Sequence, residues 1–159
     1  MKTYLHLFAC FLFLFNIAFA DQGFPRAPLK HLTPGKLCES NSIKRYPEQI
    51  NYCARDVSFE LKAEIIKSYD QEGFSIEFMN RDDFKIDHFI PLCAGGSNDR
   101  TNLWPQHKSI YAYTDDLEKL ICEKMAEGKL LQKDAIDYIT FAKNNLKQAN
   151  SIYQKVNSL

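Results

Sequence analysis

Asp87 and His88 stand side by side in the segment Ile86-Asp87-His88-Phe89-Ile90-Pro91, and together they offer two groups suited to metal-assisted hydrolysis. A carboxylate oxygen is a hard donor of the kind that divalent cations such as Mg2+ prefer. An imidazole with an unperturbed pKa of about 6.5 accepts a proton from water near neutral pH. Neither residue carries much meaning alone. A histidine on an apolar strand face beside Ile86 and Ile90 is ordinarily a satisfied core side chain, and a single aspartate is ordinarily solvated or a turn former. The surroundings set this pair apart: Gly95-Gly96-Ser97-Asn98-Asp99 follows, and then Asn102-Leu103-Trp104-Pro105-Gln106-His107.

The elements that must position these residues are legible from local pattern. Phe84, Ile86, His88 and Ile90 alternate with Lys85, Asp87 and Phe89, which predicts a strand from Phe84 to Ile90 that Pro91 stops. The glycine-rich stretch turns the chain, and Asn102-Leu103-Trp104 returns as a second short strand before Pro105. A helix from about His107 to Glu127 follows, with Ile110, Tyr113, Leu117, Leu120, Ile121 and Met125 on one stripe and Gly128 as terminator. Upstream, Ser58 is an N-cap for a helix whose face carries Leu61, Ile65 and Tyr69 and which Gly73 ends. A last helix runs from about Lys133, with Ile136, Ile139, Ala142, Leu146, Ala149, Tyr153 and Val156 inward and a solvated Lys/Asn/Gln face outward. Neighbours on a regular strand point to opposite faces. Asp87 and His88 therefore share a site only through a twist or bend near Pro91, or through a cation lying across the strand edge.

The ordered set Asp-His-x-Ile-Pro, Gly-Gly and Asn-Leu-Trp-Pro-Gln resembles the HNH endonucleases, also called His-Me finger or ββα-metal nucleases, and in particular their exported branch. The resemblance covers about residues 84–126. It implies an α+β fold: a small ββα-metal core of hairpin plus helix, packed with additional helices, within a nuclease domain over residues 37–159. It also implies hydrolysis of phosphodiester bonds in DNA, with RNA as a secondary substrate, and one divalent ion as cofactor, Mg2+ expected and Mn2+ or another transition metal as alternatives.

By the same resemblance His88 is the general base, Asp87 a metal ligand, and Asn102 the residue that ties the hairpin loop together and so helps to hold the base. The position at which many members place a second ligand is Tyr111, a poor one. His107, near the helix start, is the expected substitute, with Asp115 and Glu118 as the alternatives further along. Lys85, Arg100 and Lys108 flank the motif as candidate phosphate contacts. With no recognition helix evident, cutting is expected to be weakly sequence-specific.

Composition argues for export and sets limits on the partner. Lys2, the apolar run from Leu5 to Phe15 and Ala18-Phe19-Ala20 form a secretory signal peptide over residues 1–20, cleaved after Ala20. Residues 21–36 carry Gly23, Pro25, Pro28, Pro34 and Gly35 and read as an extended, loosely attached leader. After cleavage four cysteines remain, and an even count in an exported chain points to disulfides. Local closure pairs Cys38 with Cys53 and Cys93 with Cys122. A zinc site built from all four cysteines is the rival reading, but no C-x-x-C pair exists. Apolar residues at 45% and charged residues at 25% exclude a disordered chain. The mature chain holds 19 basic and 20 acidic residues, net −1. Nucleic-acid binders usually show a basic surplus, so any phosphate-binding surface is a local patch. Two other classes fit the same residues: a disulfide-stapled exported binding domain without cleavage, and a metallohydrolase of small phosphoesters.

Overall fold

A computed structural model describes residues 23–159. The expected signal peptide over residues 1–20 and its cleavage point lie outside the described residues. Among the described residues the architecture is mixed: four α-helices and two small antiparallel hairpins. β1 (Lys44–Arg45) and β2 (Ile50–Asn51) form the first hairpin, and α1 (Phe59–Asp70) follows. β3 (Phe84–His88) pairs with β4 (Leu103–His107), and α2 (Lys108–Ala126) starts at the next residue. α3 (Gln132–Asn144) and α4 (Ala149–Asn157) complete the chain. No helix among the described residues is long and apolar enough to cross a membrane.

The β3–β4 hairpin is the centre of the fold, and its register explains Pro105. Asp87 lies opposite Trp104 and Ile86 opposite Pro105. Just beyond the strand, the Phe89 N–H donates to the Asn102 oxygen at 2.7 Å. In an antiparallel ladder every second residue pairs by hydrogen bonds. The odd-numbered residues of β3 therefore bond to β4, and Pro105 falls at a position that needs no N–H. By the same alternation the carbonyls of Ile86 and His88 point away from β4, to the free edge of β3. The strand ends at His88 instead of Ile90, and β4 runs two residues past Pro105.

The loop joining the strands is built around Asn102, which is fully buried. Its Oδ1 accepts from Ile90 N at 2.9 Å, and its Nδ2 donates to the oxygens of Ile90 and Ser97 at 3.0 and 2.9 Å. Gly96 lies against this knot: a Cβ there would meet the Ile90 oxygen at 1.9 Å, so no larger residue fits.

Hydrophobic packing divides into two clusters. Phe84, Ile86, Leu103 and Trp104 pack with Ile65 and Tyr69 of α1, and α2, α3 and α4 bury the second cluster around Leu117, Ile121, Ile139 and Val156. On α1, Ser58 caps as expected, its hydroxyl accepting from Leu61 N at 3.1 Å. On α2 the buried stripe takes Thr114 in place of Tyr113, which is exposed. The single last helix expected from about Lys133 is two helices, broken at Asn145, whose side chain donates back to the Phe141 oxygen. Asparagine competes for backbone partners in this way, which disfavours it inside a helix.

Residues 23–36, expected to be extended and loosely attached, instead turn at Leu29–Thr33 and are held firmly. The Tyr69 hydroxyl takes a hydrogen bond from Leu29 N, and the buried Thr33 hydroxyl lies 2.8 Å from it and 3.0 Å from the Leu103 oxygen. Gly35 N donates to Thr101 O, and Cys38 N to Gly95 O. Cysteines pair as local closure suggests, Cys38 with Cys53 and Cys93 with Cys122. The second bond ties the hairpin loop to α2.

Candidate functional site

The regular register through residues 87 and 88 sends their side chains to opposite faces of the hairpin. No bend near Pro91 brings them to one side, and each has its own set of partners.

On one face Asp87, Asp115 and Glu118 each present an oxygen within 4.8 Å of the others. Asp115 and Glu118 are three apart on α2 and so share a helix face. Two ammonium groups oppose these three carboxylates. Lys85 Nζ is 2.9 Å from Asp115 Oδ1 and 3.5 Å from Asp87 Oδ2. Lys143 Nζ, on α3, is 2.5 Å from Glu118 Oε1 and 3.9 Å from Asp87 Oδ2. Lys143 is fully buried and also donates to the His88 backbone oxygen at the free edge of β3.

The cluster is incompletely satisfied. Asp87 Oδ2 is buried without a hydrogen bond, and the buried Glu118 Oε1 is held by the Lys143 ammonium alone. Burial pushes the Glu118 carboxyl above its ordinary range, and Asp87's charge adds to this against the pull of Lys143. Burial acts on Asp87 in the same direction. There Lys143, Lys85 and the His88 N–H outweigh it and hold the carboxyl below its ordinary value. Hard carboxylate oxygens, of which Asp87 Oδ2 has no hydrogen bond, suit a divalent cation with waters completing its shell. Lys85 keeps 37% of its side-chain surface exposed and is free to withdraw, with the Tyr111 ring beneath its ammonium at 4.6 Å.

On the other face His88 is 3% exposed and both its ring nitrogens are engaged. Nδ1 is 3.1 Å from Arg55 Nη1, and Nε2 is 3.0 Å from Asn98 Oδ1. A guanidinium offers only donors, so Nδ1 carries the lone pair and Nε2 the proton. Asn98 is oriented for this role because its Nδ2 donates to the Ala54 oxygen at 2.7 Å. Arg55 also donates through Nη2 to the Ile86 oxygen at 2.9 Å, on the same free edge that Lys143 caps at His88. Burial, assisted by the charges of Arg55 and Lys143, lowers the imidazole pKa to about 4 against the opposing effects of Asn98 and Asp87. The ring is neutral at physiological pH.

The remaining sequence candidates do not converge on this centre. His107 lies opposite Phe84, three residues along the strand from the Asp87–Trp104 pair, or about 10 Å. Its ring stacks on Phe24 with centroids 3.9 Å apart, and its Nδ1 caps α2 by accepting from Ser109 N. That occupation accounts for its exclusion from the carboxylate group. Lys108 pairs with Asp83 at 2.6 Å, and Arg100 donates to Ser68 on α1. Of the three phosphate candidates, Lys85 alone adjoins the carboxylates, and there it is paired.

Sequence reasoning missed Arg55, Asn98 and Lys143. Arg55 follows Cys53 by two residues, so a disulfide-anchored loop carrying an arginine was available as a signal. Lys143 sits among Lys and Asn residues on what reads as a solvated face, and nothing local marks its burial. No family model matches the chain, and neither a curated protein nor a solved structure matches it.

Proposed function

We propose that the chain is an exported, metal-dependent nuclease that hydrolyses phosphodiester bonds of DNA or RNA. The observation that carries this reading is the meeting of three carboxylates, from a β-hairpin and the helix that follows it, on the face of β3 opposite a histidine of fixed neutral tautomer. The ordered motif from Asp87 to Gln106 and its likeness to the HNH nucleases supply the reaction class. Two disulfides fit an oxidising compartment and hence export.

In this reading Asp87, Asp115 and Glu118 hold the cation, and His107 does not. A divalent ion there supplies charge relief on the phosphoryl oxygens and the departing oxygen. His88 accepts a proton at Nδ1 from the attacking water, whose oxygen bonds to phosphorus as the bond to the departing sugar oxygen breaks. Asn98 holds the ring by accepting from Nε2–H, and Asn102 holds the loop that carries Asn98.

Residues 21–159 are expected to nick plasmid DNA with Mg2+ or Mn2+, and EDTA is expected to stop it. His88→Ala is expected to lower the rate by a factor of about 100 or more, the usual contribution of a general base. An unchanged rate in His88→Ala would assign the base elsewhere. The cover over the His88 ring favours a second reading, a binding domain that does not cleave. That reading requires uptake of oligonucleotide with no strand cleavage under any divalent ion.

A further inference from the structure

We infer that Arg55 is the residue that takes the substrate's phosphate, and that in doing so it leaves His88 Nδ1 and uncovers the base. The inference rests on the nuclease reading above and adds to it a substrate contact and the step that opens the site.

The argument begins with the tautomer. Nε2 carries the proton and is committed to Asn98, so Nδ1 holds the one lone pair available to accept a proton from water. Arg55 Nη1 sits on that lone pair. While it stays there, no water can donate to His88. With Arg55 in place His88 is 3% exposed, whereas Arg55 itself is exposed to solvent. The cover is thus a long, solvated side chain that can move without disturbing the core.

What would move it follows from its present partners. Arg55 donates to two neutral acceptors, an imidazole nitrogen and the Ile86 carbonyl. Among the described residues no carboxylate pairs with it. Phosphate oxygens are stronger partners, because a guanidinium fork binds them with paired, charge-assisted hydrogen bonds. Of the other basic residues near the motif, Lys85 is paired with Asp115 and Lys108 with Asp83, and Arg100 reaches away to the Ser68 hydroxyl on α1. In a mature chain of net charge −1 a local cation is what phosphate binding requires. Arg55 also lies at the right place. It caps the Ile86 carbonyl on the free edge of β3, while Lys143 caps the next outward carbonyl, that of His88. A phosphate on Arg55 therefore lies along the edge that separates the His88 face from the carboxylate face.

The test uses residues 21–159 and a fluorescein-labelled deoxythymidine decamer as probe. In EDTA, where nothing is cut, Arg55→Ala is expected to weaken binding of the decamer about tenfold, and inorganic phosphate is expected to compete with the decamer on the parent. With Mn2+, Arg55→Ala is expected to raise KM by a similar factor and leave kcat unchanged or higher, because the base is no longer covered. Arg55→Gln keeps a neutral donor for Nδ1 and Ile86 without the charge, so it guards against misfolding. It is expected to bind as weakly as Arg55→Ala, and Arg55→Lys to fall between it and the parent. A fall in kcat with KM and metal-free affinity unchanged would overturn the inference, leaving Arg55 as a residue that only positions His88. If the parent cuts nothing with Mg2+ or Mn2+, the nuclease reading fails, and the metal-free affinities alone decide Arg55.

Discussion

Lys143 Nζ lies 2.5 Å from Glu118 Oε1 with no exposed surface of its own, so α3 delivers a buried cation to carboxylates that α2 and the hairpin supply. Removing one partner of such a pair leaves the other charge buried and uncompensated. Lys143→Met is therefore expected to cost about 3–5 kcal/mol, read from urea denaturation in EDTA. Lys143→Met with Glu118→Leu removes both charges and is expected to recover much of that loss. A Lys143→Met midpoint equal to the parent's would show that the pair contributes nothing to folding.

Cation binding separates the two ligand sets. With Asp87, Asp115 and Glu118 as the donors, Mn2+ is expected to raise the Tm of the parent and to leave Asp87→Asn unmoved. His107→Ala is expected to respond like the parent, since His107 is engaged with Ser109 and Phe24. A His107→Ala protein that no longer responds to Mn2+, beside an Asp87→Asn protein that does, would reverse the assignment.

These outcomes bear on what the sequence could and could not disclose. The hairpin and the start of α2 are readable because their signals are local: strict alternation from Phe84, turn glycines, and a stripe at helical spacing. The Asn102 knot is readable in outline through the resemblance, which implies that the asparagine of Asn-Leu ties the hairpin loop. His107 is the expected second ligand on residue type. Its position as the last residue of β4 makes it a cap for α2, and a cap cannot also reach Asp87 three residues away. Lys143 and Arg55 are hidden for a different reason. Their partners Glu118 and His88 lie 25 and 33 positions distant in the chain (143 less 118, and 88 less 55), and no periodicity records a contact of that length. The attachment of residues 23–36 through Thr33 and Tyr69 is hidden in the same way.

The disulfides should contribute separately. Cys38–Cys53 spans 15 residues and anchors the loop that leads to Ala54 and Arg55, and Cys93–Cys122 spans 29. In the chain-entropy account these spans correspond to about 3 kcal/mol and slightly more. Cys38→Ala/Cys53→Ala and Cys93→Ala/Cys122→Ala are each expected to lose about that much in urea denaturation. The first pair is also expected to weaken decamer binding, because it frees the loop that places Arg55. Unchanged urea midpoints in both double variants would refute the entropic account here.

Acid should act through His88 in two measurable ways. Its pKa is about 4 in the folded chain and about 6.5 when unfolded. Between those values the unfolded chain binds a proton that the folded chain refuses, so the His88 contribution to stability falls as pH drops from 6.5 towards 4, while the raised Glu118 carboxyl acts in the opposite sense in parent and variant alike. The loss approaches about 3 kcal/mol below pH 4. His88→Asn is expected to flatten this dependence. Burial lowers the His107 pKa as well, so His107→Ala is the comparison against which the His88 variant is read. Asp99, held at about pH 2 chiefly by the Thr101 N–H and Lys36, withdraws its stabilisation only below about pH 4 and stays outside this window. Catalysis should follow the same ring: the base stays neutral through about pH 5, so the acid limb of kcat/KM is expected near 4 and not at 6.5. A limb at about 6.5 that persists in His107→Ala would mean that a different, solvent-exposed group accepts the proton.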